Sequence, residues 1–217
     1  AELLLELARL WDEDVGDVEE AEKAYRRLLA ADPDDPERVL TASRALERIH
    51  LGQGAHAALA EDLERQVALE HDVEEQRRLL VRLADLREEV LDDVAGAIAA
   101  HQQRLDLEPD DRDAMRALER LFEREGRWSE LIEVLRMRDG AVADEDEQRA
   151  IARRIGAIYE EQLEDPEQAI AAYDDVVTRF GKDSDTLGAL SRLYEQAERW
   201  EELLEVAEMV YELADQV

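Results

Sequence analysis

The sequence predicts an all-α solenoid of about six helical hairpins, and three observations carry that expectation. Hydrophobic residues make up 45% of the chain but aromatics only 5%, with Ala, Leu, Glu, Arg and Asp dominant, which favours helices packed through aliphatic side chains. Apolar residues recur at helical spacing, as in Leu118, Leu121 and Phe122, then Trp128, Leu131, Ile132 and Leu135. The chain also repeats itself: "RLFEREGRWSELIEV" at 120–134 returns 72 residues later as "RLYEQAERWEELLEV" at 192–206.

A second segment, "GDVEEAEKAYRRLLAADPDD" at 16–35, returns in altered form at 92–111 and 164–183. Tyr25, His101 and Tyr173 therefore align, as do Leu46, Leu118 and Leu190. The resulting units fall at approximately 1–35, 36–77, 78–111, 112–148, 149–183 and 184–217, a single repeat array.

Each unit reads as helix, turn, helix. The "EGR" around Gly126 supplies the positive φ that a helix C-terminus commonly needs. Asp32-Pro33-Asp34-Asp35-Pro36 and Pro109-Asp110-Asp111 stop one helix and offer acceptors to the bare amides of the next. Pro166, after Asp165, suits a first helical turn. Units one, three and five hold an extra residue before their turn: compare Leu7 to Gly16 with Leu118 to Gly126. Gly52-Gln53-Gly54 is expected to be a loose turn, and 138–148 the longest loop; neither is long enough to link domains.

The formal charge of -31, from 58 acidic and 27 basic residues, makes duplex nucleic acid and anionic membrane poor partners. Every basic residue except Lys23 and Lys182 is arginine, a bias expected of a bacterial host with a GC-rich genome or salt adaptation. Without cysteine there are no disulfides, thiolate metal sites or thiol nucleophiles. No apolar run approaches the ~20 residues that cross a bilayer. The chain begins at Ala1 inside a predicted helix, without an initiator Met or signal-peptide pattern, and so reads as a fragment of a longer protein.

Little points to catalysis. His50, His56, His71 and His101 form no HExxH or i, i+4 pair. His50 and His101 stand where other units carry an aromatic, so they are expected to pack, and His56 takes the position of Trp128 and Trp200. Acidic runs such as Asp12-Glu13-Asp14 and 144–147 lack calcium-loop spacing and read as solvated helix ends. There is no GxGxxG, GxxxxGKS or GxSxG. A non-enzyme with no metal and no cofactor is expected. Trp11, Trp128, Trp200, Tyr25, Tyr159, Tyr173 and Tyr194 are assigned to the hairpin core.

A period near 34, a small residue after a leucine-type position, an aromatic four on, and a later alanine and aromatic together resemble the tetratricopeptide repeat. Ile155-Gly156, Tyr159, Ala169 and Tyr173 carry the resemblance best, with Leu118, Phe122, Gly126 and Trp128 also matching. It implies a right-handed α-solenoid whose first helices line a concave groove, serving as a protein- or peptide-binding scaffold. The groove positions implied are Arg9, Arg44, Arg48, Arg82, Arg116, Arg120, Arg153, Arg154 and Arg192, with Arg78 and Arg124 one turn away. Guanidinium groups bind carboxylates bidentately, so the expected partner is an acidic or carboxylate-ended peptide. Asp12, Glu88, Glu89, Glu160, Glu161 and Glu195 share the groove toward the helix ends. The alternative is that the arginines pair with carboxylates on their own or the next helix, such as Arg120 with Glu123 or Arg82 with Asp85.

A second function is an architectural spacer or oligomerisation segment that self-associates through its terminal hairpins. It predicts apolar surfaces without neighbours at Leu3, Leu4 and Leu7, and at Val206, Val210 and Leu213.

Overall fold

The computed structural model describes residues 2–215, which contain twelve α-helices and no strand. They pack as two compact units, Ala1–Pro109 and Asp110–Val217. The first unit holds α1 (Glu2–Arg9), α2 (Val18–Ala31), α3 (Pro36–Gln53), α4 (His56–Leu69), α5 (Val73–Asp85) and α6 (Val94–Leu107). The second holds α7 (Arg112–Arg124), α8 (Trp128–Ala141), α9 (Glu145–Glu161), α10 (Pro166–Phe180), α11 (Ser184–Gln196) and α12 (Trp200–Asp215). Within each unit a helix packs on its neighbours in sequence, so α1–α2, α3–α4 and α5–α6 form hairpins, as do α7–α8, α9–α10 and α11–α12.

Aspartate starts most of these helices. Asp17, Asp35, Asp72, Asp93, Asp111, Asp144, Asp165 and Asp183 each accept a hydrogen bond from a first-turn backbone N–H, a contribution of about 1 kcal/mol apiece. Pro36 and Pro166 follow two of these caps, where a missing N–H costs nothing. Part of the large acidic excess is therefore local helix chemistry.

Two kinds of turn alternate along the chain. In the even hairpins a residue in the left-handed region follows the first helix: Gly54 (φ 67°), Gly126 (φ 66°) and Glu198 (φ 55°). The next N–H then reaches five residues back, as from Arg127 to the Phe122 carbonyl at 2.9 Å, closing a Schellman motif. In the odd hairpins the reach is six, from Asp17 to Trp11, Asp93 to Arg87 and Asp165 to Tyr159. The extra residue is absorbed by a π-helical turn at Leu10–Val15 and Leu86–Val90, and by a single five-residue bond from Leu163 to Ile158 in the fifth hairpin. The surplus residue seen in the sequence is thus a wide last turn.

The core is aliphatic and runs through each hairpin. Ala8, Ala21, Tyr25, Leu28 and Leu46 form one buried cluster, Leu59, Leu63, Leu80 and Leu83 another, and Ala169, Tyr173, Leu187 and Leu190 a third. A Cβ on Gly156 would lie 2.7 Å from the Tyr173 ring, so a side chain there has no room.

Four expectations change. Gly52 and Gln53 continue α3 and only Gly54 turns. Residues 138–141 extend α8 and α9 begins at Glu145, leaving three residues where the longest loop was expected. Trp200 is exposed rather than core, as is His56 at the same register, while Trp128 is half-buried. Val206 is buried, while Leu4 and Leu213 pack partly against core clusters. Leu3, Leu7 and Val210 are exposed as expected, joined by Trp200, Leu204 and Tyr211.

Candidate functional site

The first helices of the hairpins carry these arginines, and four of them, Arg48, Arg82, Arg154 and Arg192, reach back to a carboxylate of the preceding hairpin. Two brace types recur at the repeat interval. In the first, Arg48 of α3 pairs with Asp12, and Tyr25 Oη donates to the same carboxylate at 3.3 Å. Its counterpart joins Arg192 of α11 to Glu160 at 3.1 Å, with Tyr173 Oη donating at 3.2 Å. Burial, reinforced by the adjacent Asp12 carboxylate, pushes the Tyr25 phenol up to about 12; burial beside Glu160 pushes Tyr173 the same way. Both therefore remain hydrogen-bond donors at neutral pH.

The second brace runs from an even hairpin to the next odd one. Arg82 of α5 pairs with Glu47 of α3, which also accepts from Gln66 Nε2 of α4 at 2.6 Å. Its counterpart is Glu119 of α7, which accepts from Arg138 Nη1 of α8 at 2.7 Å and from Arg154 Nη1 of α9 at 3.1 Å. Glu119 is buried, and that burial raises its carboxyl above the ordinary value despite both arginines. Arg82 thus reaches across to Glu47 rather than to Asp85 of its own helix.

The remaining predicted residues are placed as follows. Arg44 pairs with Glu70 at 3.0 Å, Arg78 with Glu75 of its own helix at 3.1 Å, and Arg153 with Asp185 at 2.9 Å and Asp183 at 3.5 Å. Arg116 and Arg120 are exposed on α7, and Arg124 pairs with Glu125 at 3.6 Å. The carboxylates are the less exposed partners: Arg48, Arg192 and Arg82 have side chains 63%, 60% and 47% exposed, against 7%, 18% and 16% for Asp12, Glu160 and Glu47. A guanidinium has five N–H groups, so these braced arginines still present donors to solvent.

Each unit has an open cleft at equivalent repeat positions. In the first unit Arg9, Arg44 and Arg48 share a cleft of about 430 Å³ with Asp12, Glu13, Tyr25, Thr41 and Ala45. In the second, Arg153, Arg154 and Arg192 surround an alanine floor of Ala150, Ala157 and Ala189, with Tyr173 and Asp185, in about 350 Å³.

A different polar cluster lies between α2, α3 and α4, and sequence reading did not find it. His50 and Asp62 are both buried, with Nδ1 of the first 2.5 Å from Oδ2 of the second. Arg26 Nη2 lies 3.4 Å from His50 Nε2. Glu22 Oε1 lies 3.6 Å from the same nitrogen. Arg65 Nη1 holds the other Asp62 oxygen at 2.5 Å; burial nonetheless raises the Asp62 carboxyl. An imidazole oriented by a carboxylate is a familiar catalytic element, but the adjoining cleft contains no Ser, Thr, Tyr, Lys or Cys. The register could have exposed this pair, since the sister hairpins hold Phe122 with Val134 and Tyr194 with Val206. Among the described residues no group of three His, Cys, Asp or Glu side chains is placed to hold a metal ion, and no helix is long and apolar enough to cross a membrane.

Comparison with known proteins follows this architecture. The chain matches the tetratricopeptide repeat at residues 3–39, 114–150 and 186–217 in one form of the repeat and at 153–183 in another. No curated protein matches it. Among solved structures it resembles MamA of MSR-1 at 15% identity, covering 82% of this chain and 97% of that one, with a TM-score of 0.41. It also resembles a tetratricopeptide repeat protein from Parabacteroides merdae, at 17% identity over 97% of this chain and 78% of that one, TM-score 0.39. A third is YrrB, described as a TPR protein with an unusual peptide-binding site, at 16% identity over 86% and 89%, TM-score 0.39. With its hairpins, turns and repeat matches, the chain belongs to the tetratricopeptide-repeat family.

Proposed function

We propose that the chain is a non-catalytic scaffold that binds a protein or peptide on the arginine-bearing face of its first helices, through acidic side chains or a C-terminal carboxylate. The repeat family is in general a protein-interaction fold, and that is the coarser ground for the reading. The observation that carries it is the second unit's cleft, which Arg153, Arg154 and Arg192 line together with three alanines. Each guanidinium is already fixed by a carboxylate, so ordering it for a ligand forfeits less side-chain freedom. Arg44, Arg48, Arg78, Arg82, Arg116, Arg120, Arg153 and Arg192 are the proposed partner-contacting set, within one array of six hairpins. No nucleic-acid, membrane, metal or cofactor role is proposed.

Isothermal titration with an acidic hexapeptide ending in a free carboxylate tests this, against the same peptide amidated and against the Arg153→Ala/Arg192→Ala variant. Binding that weakens about tenfold in the variant, as expected for losing charge-assisted pairs of 1.5–3 kcal/mol each, supports the reading. Equal binding to both proteins would overturn it.

A second reading, a spacer or self-associating segment, rests on the end helices. Leu204 is 63% exposed while its register equivalents Ile132 and Ala60 are 2% and 5% exposed. Sedimentation that shows only monomer up to high concentration removes self-association.

A further inference from the structure

The even hairpins share a roof that one of them lacks. In α7–α8, Arg127 lies over the Phe122 ring with its Cζ 4.8 Å from the centroid, and Glu130 holds it through Nε and Nη2 at 2.9 and 2.7 Å. In α11–α12, Arg199 lies over Tyr194 at 4.9 Å, and Glu202 holds it at the same two distances. Each roof is a guanidinium stacked on an aromatic face and pinned by one carboxylate.

In α3–α4 all three members are replaced. His50 stands for the large ring, Ala55 for the arginine and Ala58 for the glutamate. The result is an open cleft of about 700 Å³, walled by Leu29, Ala30, Ala57 and Ala58, with the His50–Asp62 pair at its base. Two cations do line it, yet each is neutralised: Arg26 pairs with Glu22 at 2.9 Å, and Arg65 with Glu61 at 3.0 Å and with Asp62 at 2.5 Å. The carboxylates of Glu22, Glu61 and Asp62 outnumber Arg26 and Arg65, and the whole chain carries -31, so the local and long-range fields both draw a cation.

We propose that this cleft is a docking site for an arginine side chain of a protein partner, which occupies the volume that Arg127 and Arg199 fill in the sister hairpins and takes Glu61 as its carboxylate. The site involves none of the arginines of the first-helix face, so it stands or falls separately from the binding reading above.

Nuclear magnetic resonance of the His50 imidazole nitrogens reads the site directly, titrating the whole chain with acetyl-arginine-amide, its neutral isostere acetyl-citrulline-amide and acetyl-glutamate-amide. The arginine probe is expected to shift His50 at concentrations about tenfold lower than citrulline requires, the ratio that a desolvated cation–π contact of ~1.4 kcal/mol gives. The variant Ala55→Arg/Ala58→Glu rebuilds the roof within the chain and is expected to lose the response while melting at a higher temperature. Equal responses to arginine and citrulline, a preference for the glutamate probe, or undiminished arginine binding to the folded double variant each overturn the proposal. Should the double variant fail to fold by circular dichroism, the three-probe comparison on the unaltered chain decides alone.

Discussion

Glu47 and Glu119 sit at the same register, one in each compact unit, and solve the same problem differently. Each ties its own hairpin to the first helix of the next. Glu119 does so with two arginines, Arg138 and Arg154, and is buried. Glu47 uses Gln66 and Arg82, with its side chain 16% exposed. The difference shows that this position requires a carboxylate bridge, whereas the degree of burial and the charge opposite it are free to vary. A buried charge pair contributes little net stability when whole but a large loss when broken, so the two bridges should respond unequally to damage.

Removing Glu119 should produce the largest effect. Glu119→Ala leaves Arg138 and Arg154 facing each other across a desolvated gap and is expected to destabilise by about 3 kcal/mol, measured by urea unfolding. Glu47→Ala, losing one amide bond and one half-exposed arginine, should lose about 1 kcal/mol. If both variants lose the same, the burial difference has no energetic meaning.

The third test concerns pH. Burial holds the Glu119 carboxyl above its ordinary value, so its contribution to folding is fullest below the ordinary carboxylate range and declines as pH rises through the folded value. Relative to Glu119→Gln, the unaltered chain should therefore lose stability as pH rises from the ordinary glutamate range through the raised folded value. A gain over that window would mean the arginines outweigh desolvation. The smallest effect is expected at the exposed ends of the other braces. Arg48→Ala and Arg192→Ala should each change stability by about 0.5 kcal/mol or less, which thermal melts can bound.

Much of this frame was legible beforehand. Pro36, Pro166 and Gly126 marked helix ends because their backbone chemistry admits few alternatives, and Asp35, Asp111 and Asp165 capped helices where the sequence placed them. The arginine stripe was legible as a stripe. Its partners were not, because helical spacing shows which residues share a face but not which carboxylate of the preceding hairpin lies within reach. Arg82 illustrates this: Asp85 is three residues away, yet the bond forms to Glu47. The segment 138–148 misled because its Gly140 and acidic run resemble a loop, while Arg138 reaches Glu119 and Gln148 accepts the closing role by donating to the Asp139 and Val142 carbonyls at 3.1 and 2.9 Å. Trp200 misled for the opposite reason, since an apolar stripe promises a neighbour that the stripe itself does not supply.

The wide turns of the odd hairpins also decide how such a chain can grow or be edited. A helix that closes with a six-residue reach carries one more residue in its turn than one that closes with five, so a lone hairpin is not an interchangeable part. The smallest segment that can be copied, deleted or grafted without changing turn type is a consecutive odd and even pair, 72 residues in the stretch from Leu118 to Leu190. The near-identical segments 120–134 and 192–206 recur at that same spacing, and an engineer lengthening the array would have to work in the same steps.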